Sequence, residues 1–184
     1  TPRESGARLS VIGRFPAGLP AEFHVDRNMI RWVRDPEIET ASGWSKLPFD
    51  GETWNLAACA QGCRVRYQYD LGAAARETAD VGYAAVHGEA YLAPPSTWLL
   101  HPATEMAGVP YEFHVDAAAD TAFVTGVFPT AGAAGASYGA DISDLPDSPY
   151  SAFGKFEALH LSQPKAAVDV AVVNSPYAAG NNTI

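Results

Sequence analysis

The sequence predicts a mostly β protein, an antiparallel β-sandwich with little helix, and three observations support this prediction. Apolar and polar residues alternate in several short segments, which is the period of a half-buried strand. Turn formers, drawn from 14 prolines and 16 glycines, separate these segments. No segment shows the periodicity of a long helix. We therefore expect at least seven strands, less than about 15% helix and one hydrophobic core.

The clearest strand covers residues 63–71, where the alternation is unbroken. One face carries Cys63, Val65, Tyr67, Tyr69 and Leu71, and the opposite face carries Arg64, Arg66, Gln68 and Asp70. We expect Val65, Tyr67 and Tyr69 to be buried and Arg64 and Arg66 to be exposed. A register shifted by one residue would reverse this burial, because successive side chains in a strand point to opposite faces.

The remaining strands are predicted from shorter runs rich in branched and aromatic residues. In chain order they cover residues 8–12, 22–25, 29–33, 83–87, 98–100, 111–116, 122–128, 153–161 and 168–173. Residues 72–80 favour two helical turns because Ala, Arg and Glu are good helix formers. Residues 141–145 favour one further turn.

The domain organisation is predicted to be simple. We expect residues 1–176 to form a single β-sandwich domain, with a Gly- and Ala-rich surface loop at residues 130–136. Residues 177–184 are polar and contain glycine, so we expect them to begin a linker to a missing downstream domain.

Net charge and hydropathy exclude some classes of binding partner. The formal net charge is −9, whereas nucleic acids and anionic membranes attract clustered Lys and Arg. No apolar run approaches the roughly 18 residues of a membrane span. We therefore expect no nucleic-acid partner and no membrane span.

The two cysteines, Cys59 and Cys63, lie close together in the sequence. Two thiols are too few for a structural zinc site, which takes four ligands. A local disulfide and two free thiols are both compatible with this spacing. The chain also begins at Thr1, as a processed or trimmed chain would. Together with the potential bridge, this favours the periplasm or the cell exterior.

No catalytic, cofactor-binding or metal-ligating residue is predicted in this chain. The five histidines are too far apart in the sequence to form the His pair of a helical zinc motif. Glu22 and His24 share one strand face, as do Glu112 and His114, which is typical of a polar outer face. The alternative is a small hydrolase built on these strand histidines. Residues 135–139 match Gly-x-Ser-x-Gly but lack the flanking strand and helix, so loop composition explains them.

Four passages resemble the N-terminal β domain of the glycyl-aminopeptidase-type zinc metallopeptidases. They are Trp54-Asn55-Leu56 leading into residues 64–71, Trp98-Leu99-Leu100-His101-Pro102 after Tyr91-Leu92, residues 110–127, and Asp144-Leu145-Pro146-Asp147-Ser148-Pro149 followed by Gly154. The third passage departs from the family, because Asp120-Thr121-Ala122 replaces its usual Gly-Trp.

In that family the β domain precedes a thermolysin-like catalytic domain, which holds the zinc ligands, and a PDZ domain. The resemblance implies that this chain is a non-catalytic N-terminal domain of a bacterial aminopeptidase-like metallopeptidase. It would pack on the catalytic domain and help to shape the substrate cleft. It would need no cofactor of its own, with zinc held in the missing catalytic domain and a peptide as the parent's substrate. The alternative is a free-standing secreted module that binds carbohydrate or peptide through Trp and Tyr.

A domain that packs on a partner is expected to show an apolar patch when the partner is absent. We place this predicted domain interface at Trp98, Leu99, Asp147, Ser148, Pro149, Tyr150 and Phe153. The alternative is that Trp98 and Phe153 fill the core of the sandwich.

Overall fold

The computed structural model describes residues 7–130, 137–163 and 166–173. Of these residues, 45% lie in strands and 16% in helices, so the predicted mostly β fold is confirmed. Short 3-10 helices contribute most of the helical residues. The predicted linker at residues 177–184 lies outside the described residues, as does most of the predicted loop at 130–136. Among the described residues, no helix has the length and apolar character needed to span a membrane.

The strands are short and follow one another along the whole described chain. They are β1 (Leu9–Phe15), β2 (Glu22–His24), β3 (Val33–Thr40), β4 (Gly43–Lys46), β5 (Trp54–Asn55), β6 (Cys63–Tyr69), β7 (Ala85–His87), β8 (Ala90–Ala93), β9 (His101–Pro102), β10 (Pro110–His114), β11 (Ala122–Thr125), β12 (Ser137–Asp141), β13 (Ser151–Gly154), β14 (Glu157–Gln163) and β15 (Ala166–Val172). The helices are α1 (Leu71–Glu77) and the 3-10 helices Arg27–Trp32, Ala57–Cys59, Pro95–Thr97 and Ile142–Asp147.

These strands form five antiparallel sheets in the described part of the chain. Two sheets have four strands each, in the orders β1-β6-β3-β4 and β11-β13-β8-β7. A three-stranded sheet, β5-β2-β9, and the pairs β10-β12 and β14-β15 complete the set. Strand β1 is therefore an outer strand of its sheet, and β10 pairs with β12 alone.

Strand β6 has the register that its alternation predicts. The exposed fractions of Val65, Tyr67 and Tyr69 are 0%, 4% and 0%, and Arg66 is exposed. Arg64 is only half-exposed, contrary to the prediction; it pairs with Glu39 at 3.2 Å and lies over the ring of Trp44. The buried face of β6 thus forms part of the core, as the sequence indicates.

The predicted strand at residues 29–33 is wrong. Residues Arg27–Trp32 form a 3-10 helix, which begins where the Asp26 carboxylate accepts a hydrogen bond from the backbone N–H of Asn28 at 3.1 Å. Met29 and Trp32, three residues apart, are both buried. Three-residue spacing puts side chains on one face of a 3-10 helix, so this pattern has period three rather than two.

The predicted strand at residues 98–100 is also wrong. Trp98 ends the 3-10 helix Pro95–Thr97, and the Tyr67 hydroxyl takes the place of a neighbouring strand. This hydroxyl donates to the carbonyl of Trp98 at 2.6 Å and accepts from the backbone N–H of Leu100 at 3.1 Å. A side chain therefore satisfies backbone groups that a sheet would otherwise pair.

Other boundaries also differ from the predictions. Residues 153–161 divide into the end of β13 and the start of β14, and the chain turns at Gly154, whose φ of 126° strongly favours glycine. The sequence patterns did not predict β3 as a whole, β4, β5, β8, β9 or β12. The two helical predictions are supported by α1 and by the 3-10 helix Ile142–Asp147.

One core unites four of these sheets, all but the β14–β15 pair among the described residues, and Trp98 belongs to it. Its ring packs edge-on against Phe113 of β10 and Phe153 of β13, with centroid distances of 5.4 Å and 5.7 Å. Edge-on packing is a favoured arrangement of aromatic rings. Because β10 and β13 belong to different sheets, Trp98 holds together two sheets that share no strand.

Candidate functional site

A groove of about 970 Å³ runs along strands β1 and β10. Every residue of β1 and every residue of β10 lines it. Each strand is paired on one side only, β1 with β6 and β10 with β12, among the described residues. A strand with an unpaired side presents a row of free backbone N–H and C=O groups. The groove therefore runs along two strands that each have an unpaired side among the described residues.

Several apolar side chains form the floor of the groove. Trp98, Leu99 and Phe153 line it, together with the ring of Tyr67. Burial raises the pKa of the Tyr67 hydroxyl, which keeps the proton that it donates to the Trp98 carbonyl. This hydroxyl holds the backbone at Trp98 and at Leu100, on either side of Leu99.

The two sides of the groove carry opposite charges. On the β1 side, Arg8 and Arg64 have partners in Asp70 and Glu39, but Arg14 makes no ion pair or hydrogen bond with any described residue. On the β10 side, Glu112 is likewise exposed and has no partner among the described residues.

The seven residues of the predicted domain interface do not form one exposed patch. Trp98 and Phe153 have exposed fractions of 4% and 5% and fill the core, which is the alternative that the sequence allowed. Leu99 is half-buried in the groove floor. Tyr150 is 41% exposed, although its hydroxyl donates to the Val81 carbonyl at 2.6 Å. An interface role for these residues stays a prediction.

The turn that contains the rest of this predicted interface lies outside the groove. Asp147 and Pro149 are exposed and Ser148 is half-buried. The Ser148 hydroxyl lies 3.2 Å from the hydroxyl of Tyr111 on β10. Asp147 instead lines a second cavity, of about 680 Å³.

Two histidines meet at the wall of this second cavity. The antiparallel pairing of β2 with β9 places His24 opposite His101, and their ring centroids are 4.4 Å apart. His101 is 6% exposed, and its Nε2 atom has no hydrogen-bond partner among the described residues. Burial lowers the pKa of His101 to about 4, and the neighbouring His24 contributes to this lowering. Burial also lowers the pKa of His24, so both rings are neutral at neutral pH.

The sequence pattern did not single out His101. It instead grouped His24 with His114, but His24 lines the second cavity and His114 lines the groove. Glu22 and Glu112 are exposed beside the buried rings of Phe23 and Phe113, as expected of polar outer faces. No three His, Cys, Asp or Glu side chains of the described residues lie close enough together to hold a metal ion.

The serine of the Gly-x-Ser-x-Gly match is the first residue of β12. Ser137 is 7% exposed, and the residues just before it lie outside the described part of the chain. Ser137 pairs with His114 in the β10–β12 register. In this motif a nucleophilic serine leads directly into a helix, whereas here Gly139 and its neighbours continue β12. The match therefore lacks the local structure that would make the serine a nucleophile.

Cys59 and Cys63 form a disulfide, with their Cα atoms 4.9 Å apart. It joins the 3-10 helix Ala57–Cys59 to the start of β6. Gly62 lies inside this short loop at a φ of 87°, a conformation that other residues rarely adopt. The bridge therefore holds the end of β6 that pairs with Phe15 of β1.

An apolar sheet face is exposed on the β14–β15 hairpin. Its members have exposed fractions of 41%, 52%, 50% and 43%, and they are Leu159, Leu161, Val168 and Val172. Leu161 pairs directly with Val168, and the alternation of each strand brings the others to the same face. The sequence analysis did not identify this face.

Comparisons with known proteins show a fold relationship. No family model matches the sequence, and no curated protein matches it. Among solved structures, the chain is similar to an aminopeptidase N family protein from Idiomarina loihiensis, with 15% sequence identity and a TM-score of 0.65. The similarity covers 92% of this chain but only 30% of that one. This chain therefore has the fold of one part of a larger aminopeptidase N family protein.

Proposed function

We propose that this chain is the non-catalytic N-terminal β domain of a bacterial zinc metallopeptidase with aminopeptidase-like activity. The observation that carries the proposal is the fold similarity, which covers 92% of this chain and 30% of an aminopeptidase N family protein. A domain of this size accounts for only about a third of such an enzyme, so other domains must form the rest. The described residues bring no three metal-ligating side chains together, so we place the zinc in a downstream catalytic domain.

In this proposal the domain packs on the catalytic domain and helps to shape the cleft for a peptide substrate. The apolar face of the β14–β15 hairpin supports this role. Four aliphatic side chains on one face, each at least 41% exposed, are unusual for a surface that stays in water. The disulfide fits a periplasmic or extracellular location, which we also propose.

The alternative is a free-standing secreted binding module. Carbohydrate binding has little support, because Trp32, Trp54 and Trp98 are buried. The remaining tryptophan, Trp44, has the guanidinium of Arg66 4.3 Å from its ring centroid, so this face is not open to a sugar. Peptide binding has a specific observation in its favour, the groove between β1 and β10.

The test is to express the longest reading frame that contains this sequence, in parallel with the 184-residue chain. Hydrolysis of glycine and alanine p-nitroanilides is measured with and without a chelator. We expect the longer protein to be active and to lose its activity on chelation, and the 184-residue chain to be inactive. A reading frame that ends soon after Ile184, or hydrolysis by this chain alone, would contradict the proposal.

The hairpin is tested in the same longer protein. The double variant Leu161→Lys and Val168→Lys is expected to weaken the packing between this domain and the catalytic domain. We therefore expect a lower activity and faster proteolysis of the segment that joins the two domains. The matched control is Ala41→Lys, because Ala41 is also an exposed apolar residue but lies in the turn between β3 and β4, outside the hairpin and the predicted domain interface. Equal effects of the two changes would contradict a packing role for this face.

A further inference from the structure

We propose that the groove between β1 and β10 binds an extended peptide, which adds as a strand to the free side of β1. This peptide is a separate molecule that carries an acidic side chain beside Arg14. The inference does not depend on the proposed role in a peptidase, because it rests on the groove itself. Its first support is the backbone, since every residue of β1 lines the groove and this strand pairs only with β6 among the described residues.

Strand β1 is an unusually good template for strand addition. It pairs with β6 in one continuous register from Leu9 to Phe15, without a bulge. Proteins usually protect such outer strands with proline, bulges, short length or charged side chains. Strand β1 has seven residues and no proline, its central exposed side chain is Ile12, at 61%, and its one charged side chain is Arg14. An edge of this length offers roughly 20 Å of backbone to a partner.

The groove also has the form of a binding site rather than of an open edge. Its volume of about 970 Å³ lies at the upper end of the range of ligand pockets, roughly 300–1,000 Å³. The floor is formed by Trp98, Leu99 and Phe153, and the Tyr67 hydroxyl holds its backbone in place. Alternate side chains of an added strand would therefore meet an apolar surface that is already formed.

The charged side chains of the groove determine which peptide sequence we expect to bind. Arg14 lies directly opposite Arg64 in the β1–β6 register, and like charges in this position destabilise a strand pair. Arg64 has Glu39 as its partner, whereas Arg14 has no partner among the described residues. An acidic side chain on an added strand would supply the missing partner. The exposed Glu112 on the opposite side favours a basic side chain at the other border of the same peptide.

A second copy of this chain is a weaker candidate for the groove. The formal net charge of −9 makes two copies repel each other at neutral pH. A short peptide with one or two charges avoids this repulsion and can match the opposite charges of the two sides.

The experiment uses the purified 184-residue chain and fluorescein-labelled eight-residue peptides with alternating Val and Thr. One peptide carries a central Glu, a second carries Lys at that position, and a third carries the Glu with two prolines that prevent strand pairing. Fluorescence anisotropy gives each Kd. Hydrogen exchange of the backbone amides reports where the peptide binds, and sedimentation velocity reports the oligomeric state.

We expect the Glu peptide to bind at least about tenfold more tightly than the Lys and proline peptides, with slower exchange at the amides of residues 10–14. The change Arg14→Glu is expected to reverse the preference between the Glu and Lys peptides. The matched control is Arg76→Glu, an exposed arginine on α1 outside the groove, which is expected to leave both Kd values unchanged. Circular dichroism verifies that both variants are folded.

Several results would overturn the inference. The first is that the proline peptide binds as tightly as the Glu peptide. The second is that the Arg14→Glu variant still prefers the Glu peptide to the Lys peptide. The third is that amide exchange at residues 10–14 is the same in the complex as in the free chain. The absence of saturable binding up to about 1 mM peptide would also overturn it. So would a dimer whose formation slows exchange at β1, because the occupant of the groove would then be a second copy.

Discussion

The buried histidine of the second cavity makes the stability of this domain depend on pH. His101 is 6% exposed, its Nε2 atom lacks a partner among the described residues, and the ring of His24 lies 4.4 Å away. Protonation would place a charge in this site without an acidic partner for it. The folded protein therefore holds a proton on His101 less tightly than the unfolded chain does.

The size of the effect is set by the two pKa values. The pKa is about 4 in the folded protein and 6.5 in the unfolded chain. At 1.36 kcal/mol for each pKa unit, the difference corresponds to about 3 kcal/mol. Well above pH 6.5 neither state is protonated and the stabilisation is fully present. As the pH falls from 6.5 to about 4, the unfolded chain takes up the proton and the free energy of unfolding decreases. The lowered pKa of His24 acts in the same direction.

The assay is urea unfolding followed by tryptophan fluorescence at a series of pH values from about 7.5 to about 4. The wild-type chain is compared with His101→Leu, which cannot titrate at this position, and with His87→Leu, which removes an exposed histidine. All three chains share the titration of their carboxylates, so the difference between their slopes isolates His101. We expect a clearly shallower pH dependence only in His101→Leu. Equal slopes in all three chains would refute the argument.

Three further predictions concern the hydroxyl under the groove, the disulfide and metal binding. Tyr67→Phe removes the hydroxyl that serves two buried backbone groups and is expected to lower the free energy of unfolding by about 1–3 kcal/mol in urea; a change near zero would contradict this. Replacing Cys59 and Cys63 by Ala is expected to cost about 2 kcal/mol, since the closed loop is short, and an unchanged urea midpoint would count against it. The isolated chain is expected to retain no zinc after dialysis, and stoichiometric zinc that is lost on His24→Ala or His114→Ala would contradict this.

Some features of the fold could be predicted from local sequence patterns. The alternation of β6 predicted its buried side correctly, because a strand within a sheet has only two faces and the core takes the apolar one. The Ala-rich segment after Asp70 predicted α1, because helix propensity and an N-terminal cap act over a few neighbouring residues. The failure at Met29 and Trp32 has a local cause as well, since a spacing of three residues fits a 3-10 helix.

The candidate sites could not be predicted from such local patterns, because they depend on which strands become neighbours. The sequence placed Trp98 and Leu99 in a strand, but the hydroxyl of Tyr67, about thirty residues earlier, decides their conformation. The partner of His24 was also hidden, since the β2–β9 register alone brings His101 beside it. No pattern within one segment can reveal a partner that far along the chain.

By itself, therefore, the sequence determined that this protein is mostly β, which face of β6 is buried and where turns interrupt the strands. These properties depend on short-range periodicity and on the conformational preferences of individual residues. Only the tertiary structure decided that Trp98 fills the core, that β1 and β10 border one groove and that an apolar face of the β14–β15 hairpin is exposed. These properties depend on pairing between distant strands, because whether an apolar side chain or a strand edge is covered is set by its neighbours in space.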